Sequence, residues 1–253
     1  MKIDRIVGYG CSLVFGEELA DKLHFATEEE SIVAKRDKSY AQKYYASYPP
    51  NDLENNNKSF ISKLATRFGI EHENRAKSGS SLDYSLHCLQ LDLMNGEIRD
   101  TDLVIIGMTF LQRYFYISSE GPVTRTFNPR KGVHTKDDRM YVRFFAEKDS
   151  HRVWNFFSTL QTLDLIASIN KNMFIQPCAQ SLDELIEQVN VLPILLKYKN
   201  FAEHVISNLQ SVLFPNICLT SFNTPILPYG HPNEEAHNKF AEVLSTKIGT
   251  YVL

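Results

Sequence analysis

The chain has 253 residues, of which 43% are hydrophobic, which excludes a disordered chain and allows one large α/β domain with a substantial core. Its formal net charge of −3 gives no general attraction for nucleic acid or for an anionic membrane. Its four cysteines form no Cys-x-x-Cys pair, and no run approaches the roughly 20 apolar residues of a transmembrane helix. We therefore expect a cytoplasmic protein with reduced thiols, bacterial or viral in origin, without a signal peptide.

The first half of the chain alternates between short apolar runs and stretches with helical spacing. The short runs predict strands over 3–7, 70–74 and 103–106. The helical spacing predicts helices over 60–68, with Ser59 as N-cap and Gly69 as terminator, and over 80–94. Residues 17–57 are polar and are predicted to form a long loop with a short helix over 40–48.

The second half of the chain continues this alternation. Its apolar pattern predicts a strand over 173–175, which Pro177 ends, and helices over 151–170 and 201–213. Two more helices are predicted from their N-terminal caps, one beginning at the capping box Ser181-Leu-Asp-Glu184 and the last one beginning after Asn233. Strands that alternate with helices indicate a parallel sheet with helices on both faces. Residues 103–106 are uniformly apolar, as in a central strand buried on both faces. We predict a single α/β domain over 1–253, a three-layer α/β/α sandwich with a flavodoxin-like parallel sheet.

A serine that comes shortly after two glycines follows the first predicted strand, in Gly8-Tyr-Gly-Cys-Ser12. Glycines allow a sharp turn there, and Ser12 would then stand at the carboxyl edge of the sheet, where α/β proteins bind ligands. A serine hydroxyl is a weak nucleophile that needs a neighbouring base. His231 in Gly-His231-Pro-Asn233 is the candidate base. The alternatives are a turn serine that caps a helix and a surface histidine that precedes one.

Four short blocks in order along the chain carry a family resemblance. They are Gly10-Cys-Ser-Leu13, Asn74-Arg-Ala-Lys-Ser-Gly79, Val104-Ile-Ile-Gly-Met-Thr109 and Gly230-His-Pro-Asn233. Together they resemble the SGNH hydrolases, also called GDSL-type esterases. The resemblance implies Ser12 as nucleophile and His231 as base. It also implies an oxyanion hole formed by Ser12, Gly79 and Thr109, and the alternative for Gly79 is a loop glycine with positive φ. We expect no cofactor and no metal.

The chain departs from the family pattern at three positions. Cys11 replaces the aspartate of the first block, and we assign it to packing rather than to nucleophilic attack. Thr109 replaces an asparagine, and either its shorter hydroxyl or Gln112 could serve as donor; a plain strand-end threonine is the alternative. Residues 227–229 replace the acid that usually precedes the histidine, so a backbone carbonyl would orient His231 in a Ser-His dyad.

Two acidic residues follow the histidine. We assign Glu234 and Glu235 to the N-terminus of the last helix, where the helix dipole favours acidic side chains. His231 and His237 are six residues apart and do not have the i,i+4 spacing of a zinc pair on a helix.

The segment over about 110–157 is rich in aromatic and basic residues and is predicted to be an insertion near the active-site edge. It is either a lid that supplies substrate contacts or a hairpin whose aromatic residues fill a core. Arg113, which could hold an anion, and Tyr229 beside His231 are the candidate substrate-binding residues.

The expected function is hydrolysis of an O-acetyl or short acyl ester of a carbohydrate or small molecule. Transfer of the acyl group to an acceptor other than water has the same acyl-enzyme and stays open. The alternative is a binding protein rather than an enzyme, namely a catalytically impaired protein with the same fold that binds glycans or other partners. No nucleic-acid or membrane partner is expected, and the sequence leaves the oligomeric state open.

Overall fold

The computed structural model describes residues 2–16, 19, 52–118, 121–126, 149–191, 196–222, 224, 227 and 231–252. The helix predicted over 40–48 and the candidate residue Tyr229 lie outside this part of the chain. None of the described helices is long and apolar enough to cross a membrane.

A parallel four-stranded sheet forms the centre of the protein. Its strands are β1 (Arg5–Tyr9), β2 (Glu71–Asn74), β3 (Asp102–Met108) and β6 (Met173–Pro177), in the order β2-β1-β3-β6. An isolated parallel bridge joins Ile175 of β6 to Val212 and extends this edge. The order of the parallel segments is that of flavodoxin-like sheets, which confirms the predicted fold class.

Eight α-helices lie in the described residues. They are α1 (Ser12–Phe15), α2 (Asp52–Lys58), α3 (Phe60–Phe68), α4 (Leu82–Met94), α5 (Asp149–Ile169), α6 (Leu182–Val191), α7 (Lys199–Asn208) and α8 (Glu234–Val252).

Apolar side chains on the two faces of the sheet form two separate core layers. Ile105 of β3 belongs to the layer that holds α1, α3 and α8, whereas the next residue, Ile106, belongs to the layer with α4 to α7. Successive side chains of a strand point to opposite faces, so a strand covered on both sides is apolar throughout. All seven residues of β3 are buried, as the sequence predicts for a central strand.

Several helix ends are set by the residues that the sequence singles out. Ser59 Oγ accepts a hydrogen bond from the Ser62 N–H at 3.4 Å, which caps α3. Before α6, the N–H of Ser181 donates to Glu184 at 2.6 Å and the N–H of Glu184 donates to Ser181 Oγ at 3.2 Å. This reciprocal pair is the predicted capping box.

Three predicted elements differ from the structure. Strand β1 spans Arg5–Tyr9 rather than residues 3–7, and Asp52–Lys58 is helical where the sequence predicts a loop up to residue 57. Helix α7 ends at Asn208, five residues before the predicted end. Beyond it, the Ile175 N–H donates to Ser211 O and the Leu213 N–H donates to Ile175 O, so pairing with β6 replaces helical hydrogen bonds.

The described part of the 110–157 segment contains a hairpin of β4 (Arg113–Ser118) and β5 (Gly121–Thr126). Its Tyr114 is 6% exposed, and the Phe115 ring packs against Tyr84 and His87 of α4. These contacts agree with the hairpin alternative for β4 and β5. Residues 127–148 lie outside the described residues, so the lid alternative is not tested there.

Candidate active site

Ser12 stands where β1 ends and α1 begins, at the carboxyl edge of the sheet. Cys11 has extended backbone angles and occupies the N-cap position, so Ser12 is the first helical residue. The first N–H groups of a helix have no partner within the helix, which leaves the Ser12 N–H available as a donor. Ser12 is 2% exposed, and its Oγ makes no hydrogen bond with any described residue, His231 included.

Two glycines allow α1 to lie close to the sheet. A Cβ atom built on Gly10 would stand 2.4 Å from Val14 Cγ2, and one on Gly107 would stand 2.1 Å from the same methyl group. Both distances are impossible for real side chains. Val14 therefore packs into a space that exists only because Gly10 and Gly107 have no side chain. This packing fixes the turn that carries Ser12.

The loop that follows β2 is attached to the same turn. The Lys77 N–H and Ser80 Oγ both donate to Gly10 O, at 3.0 and 2.5 Å. Between them Gly79 has φ 74°, a left-handed conformation in which glycine is favoured. The loop that carries Gly79 is therefore attached at Gly10, two residues before Ser12.

Asn74 has a structural role that the sequence reasoning missed. Its Nδ2 donates to Val14 O at 2.8 Å and to Ser59 Oγ at 3.2 Å, and its Oδ1 accepts from the Ala76 N–H at 3.2 Å. One amide therefore joins α1, the start of α3 and the Gly79 loop. The available signal was an asparagine at the end of a strand, where side-chain hydrogen bonds to the backbone are common.

Thr109 lies directly after β3, next to the β1–α1 turn. Tyr9 of β1 pairs with Ile106 of β3, the neighbouring strand. Ser12 comes three residues after Tyr9 and Thr109 comes three residues after Ile106, so both lie just beyond the same edge of the sheet. Thr109 is 1% exposed, and its Oγ1 accepts a hydrogen bond from Arg113 Nη1 at 3.2 Å. Gln112, the alternative donor, is exposed in the turn that leads to β4.

His231 precedes α8 on the face of the sheet that also carries α1 and α3. Its carbonyl accepts a hydrogen bond from the Leu227 N–H at 2.8 Å, and Asn233 caps α8 by accepting from the Ala236 N–H at 3.0 Å. His237 in the first turns of α8 accepts from the Phe60 N–H at the start of α3, which links this segment to the Ser59–Asn74–Val14 chain of contacts.

The two glutamates after His231 are engaged elsewhere. Glu234 pairs with Lys63 and Lys58, and Glu235 pairs with Lys239 one helical turn later. Both side chains lie in the first turn of α8, as we predicted from the helix dipole. No aspartate or glutamate occurs at positions 227–230.

Cys11 is fully buried and belongs to the core layer that also contains Cys178. Burial, together with nearby Cys11 and Cys218, raises the pKa of the Cys178 thiol well above its ordinary value. All four cysteines of the chain are free thiols. Within the described ranges, no group of three or more His, Cys, Asp or Glu side chains could hold a metal ion.

Comparison of the sequence with protein-family models and with curated proteins gives no match. Comparison of the structure does. The chain is similar to a carbohydrate esterase family 2 enzyme with a carbohydrate-binding domain from Corynascus thermopiles (Myceliophthora fergusii), with a TM-score of 0.50 and 14% identity over 97% of this chain and 67% of that one. It is also similar to a lipase/acylhydrolase from Enterococcus faecalis, with a TM-score of 0.46 and 12% identity over 98% of this chain and 97% of that one. The similarity to the carbohydrate esterase shows a shared fold, the α/β/α sandwich that the sequence predicts.

Proposed function

We propose that the protein is a serine esterase that removes an O-acetyl or other short acyl group from a carbohydrate or small molecule. The observation that carries the proposal is the burial of the Ser12 hydroxyl without a hydrogen-bond partner in the described part of the chain. Its hydroxyl is buried at the carboxyl edge of the sheet, between the Gly79 loop and Thr109, and no described residue uses it in a hydrogen bond. Buried hydroxyl groups are normally satisfied, so an exception in such a position suits a nucleophile.

In the proposed reaction, Ser12 Oγ attacks the ester carbonyl carbon and His231 accepts the hydroxyl proton. The N–H groups of Ser12 and Gly79 and the hydroxyl of Thr109 stabilise the oxyanion of the tetrahedral intermediate. The intermediate collapses, the ester C–O bond breaks, and His231 returns the proton to the leaving alcohol. Water, deprotonated by His231, then attacks the acyl-enzyme and releases the acid and free Ser12.

The carbohydrate ester is proposed as substrate because the fold neighbour from Corynascus thermopiles is a carbohydrate esterase. Hydrolysis of simple aryl esters does not depend on the carbohydrate, so the reaction and the substrate class are testable separately.

The reaction is tested with p-nitrophenyl acetate and a fluorophosphonate probe. We expect turnover by the wild-type protein, a covalent adduct on Ser12 by mass spectrometry, and a loss of roughly 10³-fold or more in kcat for Ser12→Ala. Cys11→Ala is the matched control, because it removes the neighbouring buried thiol and should leave turnover and adduct in place. An adduct on Cys11, or full activity in Ser12→Ala, would contradict the proposal.

The second candidate is a glycan-binding protein without catalysis. It is favoured by the absence of a Ser12–His231 hydrogen bond in this structure. A wild-type protein that gives neither turnover nor adduct but binds acetylated oligosaccharides, measured by calorimetry, would favour this alternative. Release of acetate from the same oligosaccharides would favour the esterase.

A further inference from the structure

We propose that Arg113 is a positioning residue of the oxyanion hole, which holds the Thr109 hydroxyl as a donor and fixes the loop that carries Gly79. This inference rests on the proposed esterase function. It assigns to Arg113 a role different from direct contact with a substrate anion.

A tight turn directs Arg113 back to the end of β3. The Arg113 N–H donates to Phe110 O at 3.1 Å, and the guanidinium carbon lies 5.3 Å from the centre of the Phe110 ring. Arg113 Nη1 then donates both to Thr109 Oγ1 and to Ser80 O, each at 3.2 Å. One guanidinium nitrogen therefore joins the two segments that supply oxyanion donors, although they lie about thirty residues apart in sequence.

The direction of the first hydrogen bond decides what the Thr109 hydroxyl can do. A guanidinium only donates, so Thr109 Oγ1 accepts from Arg113 and keeps its single proton for another partner. Among the residues that the structure describes, none accepts that proton from Thr109. A hydroxyl that accepts from a cation is also a stronger donor, because hydrogen bonds in a chain polarise one another. This arrangement compensates for the replacement of a longer asparagine amide by threonine.

The second hydrogen bond fixes the residue after Gly79. The Ser80 carbonyl accepts from Arg113, while the Ser80 hydroxyl donates to Gly10 O at 2.5 Å. Ser80 is thereby attached to β4 on one side and to the β1–α1 turn on the other. An oxyanion donor must be held in place before the reaction, and Gly79 is held through this neighbour.

A small cavity lies beside Arg113. Among the described residues, Arg113 lines a cavity of about 10 Å³ together with His151, Arg152 and Asn155. A cavity of this volume holds about one water molecule, which is smaller than a carboxylate or phosphate group. The two side-chain hydrogen bonds of Arg113 Nη1 are made within the protein, to Thr109 and Ser80.

The test is a double-mutant cycle on kcat with p-nitrophenyl acetate as substrate. Thr109→Val should lower kcat about 10²-fold, the cost of one oxyanion donor, and Arg113→Met should lower it by about 10- to 10²-fold, with KM within about twofold in both. The double variant should be slower than Thr109→Val, but by clearly less than the factor that Arg113→Met causes alone, since the Thr109 donor is lost only once and only the contact with Ser80 remains to be lost. Thr109→Ser should keep most of the activity, and Arg152→Met, which alters the same cavity, is the matched control.

Affinity for a boronic acid that forms a tetrahedral adduct gives a second readout, and should fall in parallel with kcat for Thr109→Val and Arg113→Met. Thermal unfolding followed by circular dichroism checks that each variant is folded. The role of Arg113 would be overturned if the wild-type protein is active but the kcat losses of Thr109→Val and Arg113→Met multiply in the double variant. It would also be overturned if Arg113→Met raises only KM. A wild-type protein with no turnover and no adduct on Ser12 would overturn the esterase proposal and this inference together.

Discussion

His237 makes the stability of this protein depend on pH in a way that can be calculated. The side chain is 1% exposed, and its Nδ1 accepts a hydrogen bond from the Phe60 N–H at 2.9 Å. A protonated ring could not accept this bond. Burial, and secondarily the electrostatic influence of nearby His231 and Lys63, lower the pKa of His237 from its ordinary 6.5 to about 3.

The sign of the effect follows from proton binding in the two states. Between pH 6.5 and pH 3 the unfolded histidine is protonated and the native one is not, so acidification favours unfolding. From pH 7 to pH 5 the linkage relation gives a loss of about 2 kcal/mol, because one pKa unit corresponds to about 1.4 kcal/mol. This loss is a large fraction of the roughly 5–15 kcal/mol by which proteins are stable.

The variant His237→Asn isolates the effect, since an asparagine oxygen can accept the Phe60 N–H without titrating. Urea denaturation followed by circular dichroism at pH 7 and pH 5 gives the free energy of unfolding of both proteins. We expect the wild type to lose about 2 kcal/mol more than His237→Asn between these pH values. All other titrating groups are shared, so they cancel in the comparison.

A second variant tests the hydrogen bond separately from the charge. His237→Phe leaves the Phe60 N–H without an acceptor, which should cost about 1–3 kcal/mol more than His237→Asn at pH 7. Equal pH dependence in the wild type and in His237→Asn would refute the reasoning, because it would mean that native His237 titrates as it does in the unfolded chain.

Three further predictions concern stability. Gly107→Ala should destabilise the protein by about 1–3 kcal/mol in urea denaturation, because its Cβ would overlap Val14 Cγ2, and unchanged stability would show that α1 moves freely. Gly249→Ala in α8 is the matched control, since a Cβ atom at this position would meet no atom within 4 Å. It should raise the free energy of unfolding by about 0.5–1 kcal/mol, and a lower free energy of unfolding would contradict this prediction. Burial raises the pKa of Asp102, but hydrogen bonds and charge from Arg5 hold it below its usual range overall. Asp102→Asn should therefore cost about 1–3 kcal/mol at pH 7 in urea denaturation, since Arg5 keeps its contacts with Glu73 and Glu97 O, and unchanged stability would contradict this.

The elements that could be predicted from the sequence depend on interactions between near neighbours. Ser59 caps α3 through Ser62, and Ser181 exchanges hydrogen bonds with Glu184, three residues away in each case. The apolar run of β3 needs only its own composition to indicate burial on both faces. Ser12 and His231 were recognised in the same local way, from their neighbours and their order along the chain, and their catalytic roles stay predictions.

The elements that could not be predicted depend on distant partners. The segment 201–213 has helical periodicity throughout, yet α7 ends at Asn208, because Asp164 accepts from the Gln210 and Ser211 N–H groups and Leu213 pairs with Ile175. Asparagine-rich α2 is a poor helix by propensity. It is nevertheless helical, and its contacts with the rest of the protein include the buried Asn55 side chain and a hydrogen bond from Asn56 to Asn74 O.

The sequence by itself determined the fold class and the order of the motifs, because hydrophobic periodicity and helix caps act over a few residues. Only the tertiary structure decided what surrounds Ser12. Asn74 ties three segments together around it, Val14 fits against two glycines, and Arg113 folds back onto Thr109 and Ser80. These contacts join residues from separate strands and loops, and they exist only because parallel strands bring their carboxyl ends to one edge of the sheet.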